Sequence, residues 1–244
     1  MKKTITTILL LLSTSTFAKP PENILLGPYE KYTEPYKNFN QSKSIAHKKI
    51  YKDDLQFDYY CGCSYNRSKE IDINSCGYKI RKNALRAKRV EWEHVVPASW
   101  FGHTDECWYH GGRKNCERES EAFNRFEGDL HNLRPVIGEV NADRSDLSYG
   151  VAGPNAKTYG QCKFKIDFTN NVAEPPDNMK GNLARVSLYM VEKYNLIIKR
   201  DLLLLWAKWS KEDPVDAKEI ELNEKIKSIQ GDSNPYVDGR KVVQ

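Results

Sequence analysis

The sequence predicts an α+β fold stabilised by disulfide bonds, and three observations support this prediction. Residues 1–18 have the pattern of a removable targeting segment, six cysteines follow it, and short alternating apolar segments are interspersed with longer helical ones. No Gly/Ser/Pro-rich linker interrupts the chain after the targeting segment. We therefore expect residues 19–244 to form a single domain.

Residues 1–18 are typical of a secretory signal peptide. Lys2 and Lys3 form its basic start, Ile5–Leu12 forms its apolar core, and small residues then lead to a cleavage site that ends at Ala18. The apolar core is too short to span a bilayer, and charged residues interrupt the Leu/Ile-rich region near residue 200. We expect an exported chain, periplasmic or secreted, with no membrane association after the signal peptide is removed.

Six cysteines lie in the part of the chain that is expected to be exported. They are Cys61, Cys63, Cys76, Cys107, Cys116 and Cys162. An even number in an exported protein indicates three disulfide bonds, and a zinc site is disfavoured because the chain has no C-x-x-C pair. Cys107 and Cys116 are the most favourable local pair, and the other four cannot be paired from the sequence.

The first half of the chain contains one predicted strand between helical and turn-rich segments. A helix is predicted for Gln41–Tyr51 and a disulfide-pinned loop for Cys61–Cys76. The strand lies in Arg89–Phe101 (RVEWEHVVPASWF), where strand-forming residues surround polar ones and a proline ends the apolar run. Turns are predicted for His103–Cys116 and a helix for Glu117–Glu127.

The second half begins with a short strand and a short helix. Asp129–Pro135 suits a strand because it is short and ends at a proline, and Val136–Asp146 suits a helix with Ile137 facing inward. Gln161–Phe168 alternates apolar and polar residues, as a half-buried strand does. Helices are then predicted for Asn182–Tyr194, for Leu202–Ser210 after an Asp201 N-cap, and for Pro214–Gln230 before Gly231, with Trp206 and Trp209 in the core.

The central strand–strand–helix unit, about residues 88–146, can gather polar side chains around one point. The candidates are Glu93, His94, Arg113, Glu127, His131, Asn132 and Asn141. Serine hydrolase and zinc peptidase chemistry are unsupported, because G-x-S-x-G and H-E-x-x-H are absent. A pair of glycosidase carboxylates would leave His94 and Asn141 without a role. The remaining alternative for Glu93 and His94 is a purely structural role beside the core.

A hard divalent cation such as Mg²⁺ fits this set better, because carboxylate and amide oxygens are the ligands it accepts. One Glu and one neutral Asn leave positive charge at the cation, which suits a phosphodiester whose transition state gains negative charge. A histidine can take a proton from water near neutral pH, and an arginine can hold a phosphate through two hydrogen bonds. Neighbours on a regular strand point to opposite faces, however, so Glu93 and His94 share a site only if the strand bends or ends there.

A basic run precedes the first strand. Residues 79–89 contain six lysines and arginines and no acid, although the net charge of the whole chain is only +5. Such a run is usually a solvated face, but nucleic-acid phosphates are its natural partner if an active site adjoins it.

Six segments carry a specific combination of motifs. They are CGYKIRKNALRAKRVEWEHVVPASWFGH (76–103), ECWYHGGRKNC (106–116), EGDLHNLRPVIGEVNADRSD (127–146), YGQCKFKIDF (159–168), AEPP (173–176) and NPYV (234–237). Together they resemble the bacterial endonuclease I family of periplasmic and secreted nucleases. The resemblance implies a ββα-metal (His-Me finger) core surrounded by helices. It also implies a Mg²⁺-dependent, non-specific endonuclease that cuts DNA, and RNA as well, and leaves 5′-phosphate ends.

The same resemblance implies a role for each matching residue. His94 falls on the general base, and Glu93 and Asn141 fall on the ligands of a single Mg²⁺, a site that Mn²⁺ or Ca²⁺ can also occupy. Arg113 falls on the phosphate-stabilising arginine and Glu127 on a further active-site acid.

Other residues of the matching segments receive secondary assignments. His131 and Asn132 are candidates for orienting the His94 ring, and Glu91 is interpreted as a structural or surface acid. Lys82, Arg86 and Lys114 are expected to contact single- and double-stranded DNA and RNA, and the protein is expected to be a monomer. The alternative is a catalytically silent nucleic-acid-binding protein, against which the intact Glu/His/Asn set argues.

Overall fold

A computed structural model describes residues 37–241 of the chain. The predicted signal peptide, residues 1–18, lies outside the described residues. Within the described part, ten α-helices are present in the order α1 Phe39–Ile45, α2 Ala84–Ala87, α3 Ala98–Gly102, α4 Glu106–Tyr109, α5 Gly112–Glu119, α6 Glu121–Glu127, α7 Gly138–Arg144, α8 Asp177–Lys193, α9 Arg200–Glu212 and α10 Ala217–Gln230. The strands of the same part are β1 Val90–His94, β2 Leu133–Ile137, β3 Ser148–Tyr149, β4 Lys157–Tyr159, β5 Cys162–Asp167 and β6 Val172–Glu174.

Helix α1 confirms the first predicted helix and begins two residues earlier than expected. Asn38 closes its N-terminus with a capping box, in which the Asn38 side chain accepts from the Gln41 N–H at 3.0 Å and the Gln41 side chain accepts from the Asn38 N–H at 3.1 Å. Ala46–Ile50 continues the helix in π-helical form.

Strands β1 and β2 form a two-stranded antiparallel sheet, in which His94 lies opposite Leu133 and Val90 opposite Ile137. Helix α7 follows β2 directly. The predicted strand–strand–helix order is therefore present, but the second strand is shifted. Asp129 caps a short 3₁₀ turn, Leu130–Asn132, and the strand then continues through Pro135, because a proline without an N–H is tolerated at a sheet edge.

A second sheet has four strands in the order β3-β6-β5-β4. Its β5 strand confirms the predicted alternation around Gln161–Phe168, since Cys162, Phe164 and Ile166 are buried. The disulfide between Cys61 and Cys162 fastens this sheet to the loop that precedes β1.

The segment His103–Cys116, predicted as turns, instead contains helix α4 and the start of α5. The prediction was wrong because the glycines only separate the two helices: Gly111 and Gly112 have positive φ values of 149° and 65°. The predicted Cys107–Cys116 disulfide is confirmed and ties the two helices together. The predicted helix Glu117–Glu127 is two helices, because Ser120 ends α5 and caps α6 by accepting from the Phe123 N–H at 3.1 Å.

The C-terminal helices agree with the prediction in number and differ at their ends. Helix α8 begins five residues earlier, directly after Pro176, and Asp201 lies inside α9 rather than at its N-cap. Helix α10 begins after its N-cap Asp216 and ends at Gly231, whose φ of 98° is left-handed. Trp206 and Trp209 are buried in the main core, as predicted.

The third disulfide joins Cys63 to Cys76 and closes the predicted pinned loop. The main apolar core lies between the two sheets and helices α7 to α9, and a smaller cluster packs α1 and α10 against β2. Within residues 37–241, no helix has the length and apolar composition needed to cross a bilayer.

Candidate active site

Strand β1 divides its polar side chains between two faces. Glu91 and Glu93 contact α7, where Glu91 accepts a hydrogen bond from Asn141 and Glu93 forms an ion pair with Arg144. The ring of His94 lies on the other face, with its centroid 4.6 Å from that of Phe39. The strand thus keeps its alternation up to His94, its last residue.

Glu93 is buried, with 3% of its surface exposed. Its Oε1 atom accepts from the Tyr60 hydroxyl at 2.7 Å and lies 2.9 Å from Nη1 of Arg144. Its Oε2 atom accepts no hydrogen bond from the described residues. Burial raises the pKa of this carboxyl, while Arg144 and the tyrosine hydroxyls oppose the shift.

Arg144 holds the end of β1 in place and was not identified from the sequence. Besides Glu93, its guanidinium donates to the carbonyl oxygens of His94 at 2.7 Å and Val95 at 2.6 Å. Arg144 follows Asn141 by three residues in α7, so the two side chains lie on the same face of the helix. The only sequence signal was its position in the matched segment 127–146.

His94 has a defined hydrogen-bonding state. Its Nε2 atom lies 2.9 Å from the carbonyl oxygen of Glu127, and a carbonyl can only accept, so Nε2 carries the proton. The Nδ1 atom of the neutral ring therefore keeps its lone pair, and no described residue donates to it. Burial, and next the positive charge of Arg113, lower the pKa of His94 to about 3, so the ring is neutral at pH 7.

Glu127 and Arg113 form an ion pair beside His94. The carboxylate is fully buried, whereas the Arg113 side chain is 40% exposed and its guanidinium lies 5.1 Å from the Phe39 ring centroid. Burial raises the pKa of Glu127 to about 7, although Arg113 opposes the shift. Neither Glu127 oxygen accepts a regular hydrogen bond from the described residues, so the ion pair with Arg113 is the polar contact that compensates its burial.

Asn141 lies on α7, and only the nitrogen of its side-chain amide has a hydrogen-bond partner among the described residues. Its Nδ2 donates to Oε2 of Glu91 at 3.0 Å, and its Oδ1 accepts no hydrogen bond from the described residues. Burial raises the pKa of Glu91, but hydrogen bonds from Arg86, Asn141 and Arg89 more than offset that effect and lower it overall.

Two oxygen atoms on the α7 side of β1 thus accept no hydrogen bond from the described residues: Oε2 of Glu93 and Oδ1 of Asn141. They are a carboxylate and an amide oxygen, the donors that hard divalent cations accept alongside water. Residues 37–241 contain no group of three or more His, Cys, Asp or Glu side chains that could hold a metal ion. The donor set therefore fits a cation that retains several waters, and it does not fit a cage built wholly of protein ligands.

His131 and Asn132 do not contact the His94 ring. His131 Nε2 lies 3.1 Å from the carbonyl oxygen of Asp232, and the Asn132 amide pairs with both backbone groups of Val96. Neither side chain hydrogen-bonds the ring, so the contact that orients it in the structure is the one to the carbonyl of Glu127.

Backbone N–H groups of the basic run, residues 79–89, attach it to a side chain of α7. Glu139 accepts from the N–H groups of Arg81, Lys82 and Asn83 at 2.5–3.0 Å. Lys82 lies 3.3 Å from Asp143 but remains 60% exposed, and Lys114 is exposed.

Arg86 differs from these two lysines. Its guanidinium is directed at Glu91, and its side chain is 33% exposed. The lysines of the run are therefore exposed to solvent, whereas its arginines form ion pairs with acidic residues of the same chain.

The comparisons with known proteins agree with one another. The model of the endonuclease I family matches residues 23–240. The chain is 46% identical over 203 residues to Endonuclease-1 of Buchnera aphidicola subsp. Acyrthosiphon pisum (strain APS), covering 82% of this chain and 80% of that protein. It is 44% identical to a periplasmic deoxyribonuclease and 42% identical to an extracellular deoxyribonuclease of Aeromonas hydrophila. Both matches cover 74% of this chain, with 77% and 81% of the respective relatives.

Proposed function

The chain belongs to the endonuclease I family, and on this premise we propose that it is an exported endonuclease that hydrolyses phosphodiester bonds of DNA. The relatives named as extracellular and periplasmic deoxyribonucleases support both the substrate and the location outside the cytoplasm. The signal-peptide pattern of residues 1–18 agrees with export.

The observation that carries the proposal is the hydrogen bond from His94 Nε2 to the Glu127 carbonyl. It leaves Nδ1 as a proton acceptor on a neutral ring, which is the state a general base requires. Arg113 contributes to the low pKa of His94. A bound phosphate would offset that positive charge, and the basicity of the ring would then rise.

Glu93 and Asn141 are the residues proposed to hold Mg²⁺, through Oε2 and Oδ1. When bound, the cation supplies positive charge that stabilises the transition state and the departing 3′ oxygen. Mn²⁺ has the same ligand preference and is a suitable replacement.

The reaction proposed for these residues is a single displacement by water. His94 Nδ1 takes a proton from the water molecule as its oxygen bonds to phosphorus and the bond from phosphorus to the 3′ oxygen breaks. Arg113 binds the non-bridging oxygens, and the protonated fraction of Glu127 gives a proton to the 3′ oxygen. The products are a 5′-phosphate and a 3′-hydroxyl.

We place the proposed phosphate beyond the end of β1. Because His94 is the last residue of the strand, a phosphate beyond it can be approached from both faces, by His94 from one and by Glu93 from the other. Since water is the nucleophile, no 2′-hydroxyl is required. Double-stranded DNA, single-stranded DNA and RNA are therefore all proposed substrates.

The proposal is tested by incubating the purified mature protein with supercoiled plasmid and Mg²⁺, with and without EDTA. We expect nicking and then fragmentation that EDTA abolishes, with product ends that a ligase can rejoin only while they keep a 5′-phosphate. Absence of cleavage over a range of pH and salt, with DNA binding retained, would instead identify a nucleic-acid-binding protein.

A further inference from the structure

Glu91 is fixed in position by two arginines of the basic run. Arg86 donates from Nε to its Oε1 atom at 2.9 Å, and a second guanidinium nitrogen of Arg86 pairs with Oε2. Arg89 adds two further contacts to Oε1, at 3.0 and 2.7 Å. With 16% of its side chain exposed, this carboxylate is held more firmly than a surface ion pair.

Among the described residues, the remaining hydrogen-bond partner of Glu91 is the Asn141 amide, whose Nδ2 donates to Oε2 at 3.0 Å. A carboxylate accepts hydrogen bonds and does not donate them. The Asn141 amide must therefore turn its nitrogen towards Glu91 and its oxygen away, and without this contact its two orientations would be nearly equivalent in shape.

We propose that Glu91 is a positioning residue, which holds the amide oxygen of Asn141 in the orientation that binds the divalent cation. The inference rests on the proposed function, in which Asn141 is a metal ligand. Glu91 and Glu93 are two residues apart on one face of β1, so a single strand supplies one proposed ligand and the residue that orients the other. Groups that orient a metal ligand typically change metal affinity about 10- to 100-fold when they are replaced.

Glu91→Gln tests this proposal because it keeps the shape of the side chain but replaces the oxygen that accepts from Asn141 with a nitrogen that donates. Three arginine contacts converge on Oε1, so the single oxygen of the glutamine is expected to occupy that position. Its NH₂ group then faces Asn141, whose amide must rotate to accept, and also the Arg86 nitrogen that pairs with Oε2 in the wild type, which must move away. The Asn141 nitrogen, which cannot bind a cation, then replaces the oxygen.

The measurement is calorimetric titration of the mature protein with Mn²⁺ alone, in the absence of nucleic acid, with circular dichroism as a check on folding. We expect Glu91→Gln to raise the Kd for Mn²⁺ about 10- to 100-fold. Glu139→Gln is the matched control: it alters a more deeply buried carboxylate of α7 that does not touch Asn141, and it should leave the Kd unchanged.

A rescue variant separates orientation from packing. In Glu91→Gln/Asn141→Asp, the aspartate can accept from the glutamine with one oxygen and offer the other to the cation, so the affinity for Mn²⁺ should recover. The added negative charge also favours a cation by itself, so the gain is compared with that of Asn141→Asp alone, in which Glu91 cannot donate to the new carboxylate. A gain in Glu91→Gln/Asn141→Asp that is no larger than the gain in Asn141→Asp alone would overturn the proposal.

Asn141→Ala distinguishes the two possible failures. If Asn141→Ala leaves the Kd for Mn²⁺ unchanged, the ligand assignment in the proposed function is wrong. If Asn141→Ala weakens Mn²⁺ binding and Glu91→Gln does not, the ligand assignment survives and the role given to Glu91 is wrong.

Discussion

The Nε2 atom of His94 donates a hydrogen bond to the backbone carbonyl oxygen of Glu127, across 2.9 Å. This contact joins the end of β1 to the end of α6. It determines which ring nitrogen carries the proton. A backbone carbonyl cannot exchange roles with a donor, so the state of the ring does not depend on the protonation of the Glu127 side chain.

The first prediction concerns the proposed base. His94→Ala should lower the rate of plasmid cleavage by about 10²- to 10⁴-fold, the usual contribution of a general base. The Kd for a DNA duplex, measured by fluorescence anisotropy in EDTA, should stay nearly unchanged because the base acts on water. His110→Ala, at the exposed C-terminal end of α4, should behave as the wild type. A large loss of DNA affinity in His94→Ala would contradict the assigned role.

The second prediction concerns the pH dependence of cleavage. Burial raises the pKa of Glu127 to about 7, so its proton-donating form is abundant below that pH and is lost above it. Cleavage by the wild type should therefore decline as the pH rises through about 7. Glu127→Gln should be slower and should lack this decline, as rates measured from pH 6 to 9 would reveal. An unchanged alkaline decline in the variant would exclude Glu127 as its source.

The third prediction separates two members of the basic run. Lys82 is 60% exposed, so Lys82→Ala should reduce the slope of log Kd for DNA against log salt by about 0.9 if the side chain contacts a phosphate. Arg86→Ala should mainly weaken Mn²⁺ binding, because Arg86 holds Glu91. Lys208, a similarly exposed lysine of α9, provides the control for a change of charge alone. Equal slopes for Lys82→Ala and the wild type would remove Lys82 from the interface.

The fourth prediction concerns the stability of the fold at low pH. Asp129 is buried and accepts from Lys193 at 2.7 Å and from the Tyr194 hydroxyl at 2.9 Å. Burial by itself would raise the pKa of Asp129, but Lys193 and the hydrogen bonds hold it well below its usual range. A depressed pKa stabilises the folded state above the unfolded value of about 3.9, and this contribution is lost as the pH falls through the folded value.

Asp129→Asn should therefore lower the free energy of unfolding at pH 7 by about 3 kcal/mol, the low end for a broken buried ion pair, because Asp232 still contacts Lys193. The difference from the wild type should shrink below about pH 4, as urea titrations at several pH values would measure. Asp232→Asn removes the more exposed acid and should cost less than about 1 kcal/mol. A pH-independent loss in Asp129→Asn would rule out this account.

Secondary structure followed local sequence patterns closely where those patterns were strong. The alternation in Gln161–Phe168 predicted β5, and Gly231 correctly marked the end of α10. The glycines of His103–Cys116 led to a wrong prediction of turns, because a glycine can separate two helices as well as form a loop. The pairing of Cys61 with Cys162 could not be predicted, since the two residues are 101 positions apart and only the folded chain brings them together.

The candidate site could likewise be predicted only in part from the sequence. The residue types were available from the matching segments, but their partners were not, because hydrogen bonds depend on distances between elements that are remote in sequence. Arg144, which links Glu93 to the end of β1, and Phe39, which packs on His94, went unnoticed. Glu91, which the sequence indicates to be a structural or surface acid, is the side chain that touches Asn141.

The sequence by itself determined the family, the α+β class and the set of chemical groups, because these depend on composition, local periodicity and motif content. Only the tertiary structure decided how those groups are arranged. The alternation of β1 directs Glu91 and Glu93 towards α7, which carries Asn141, and directs His94 towards Glu127. The proposed ligand Glu93 and the proposed base therefore lie on different faces of one strand. The alternation follows from the predicted strand, but the position of α7 depends on the pairing of β1 with β2, which local sequence patterns do not specify.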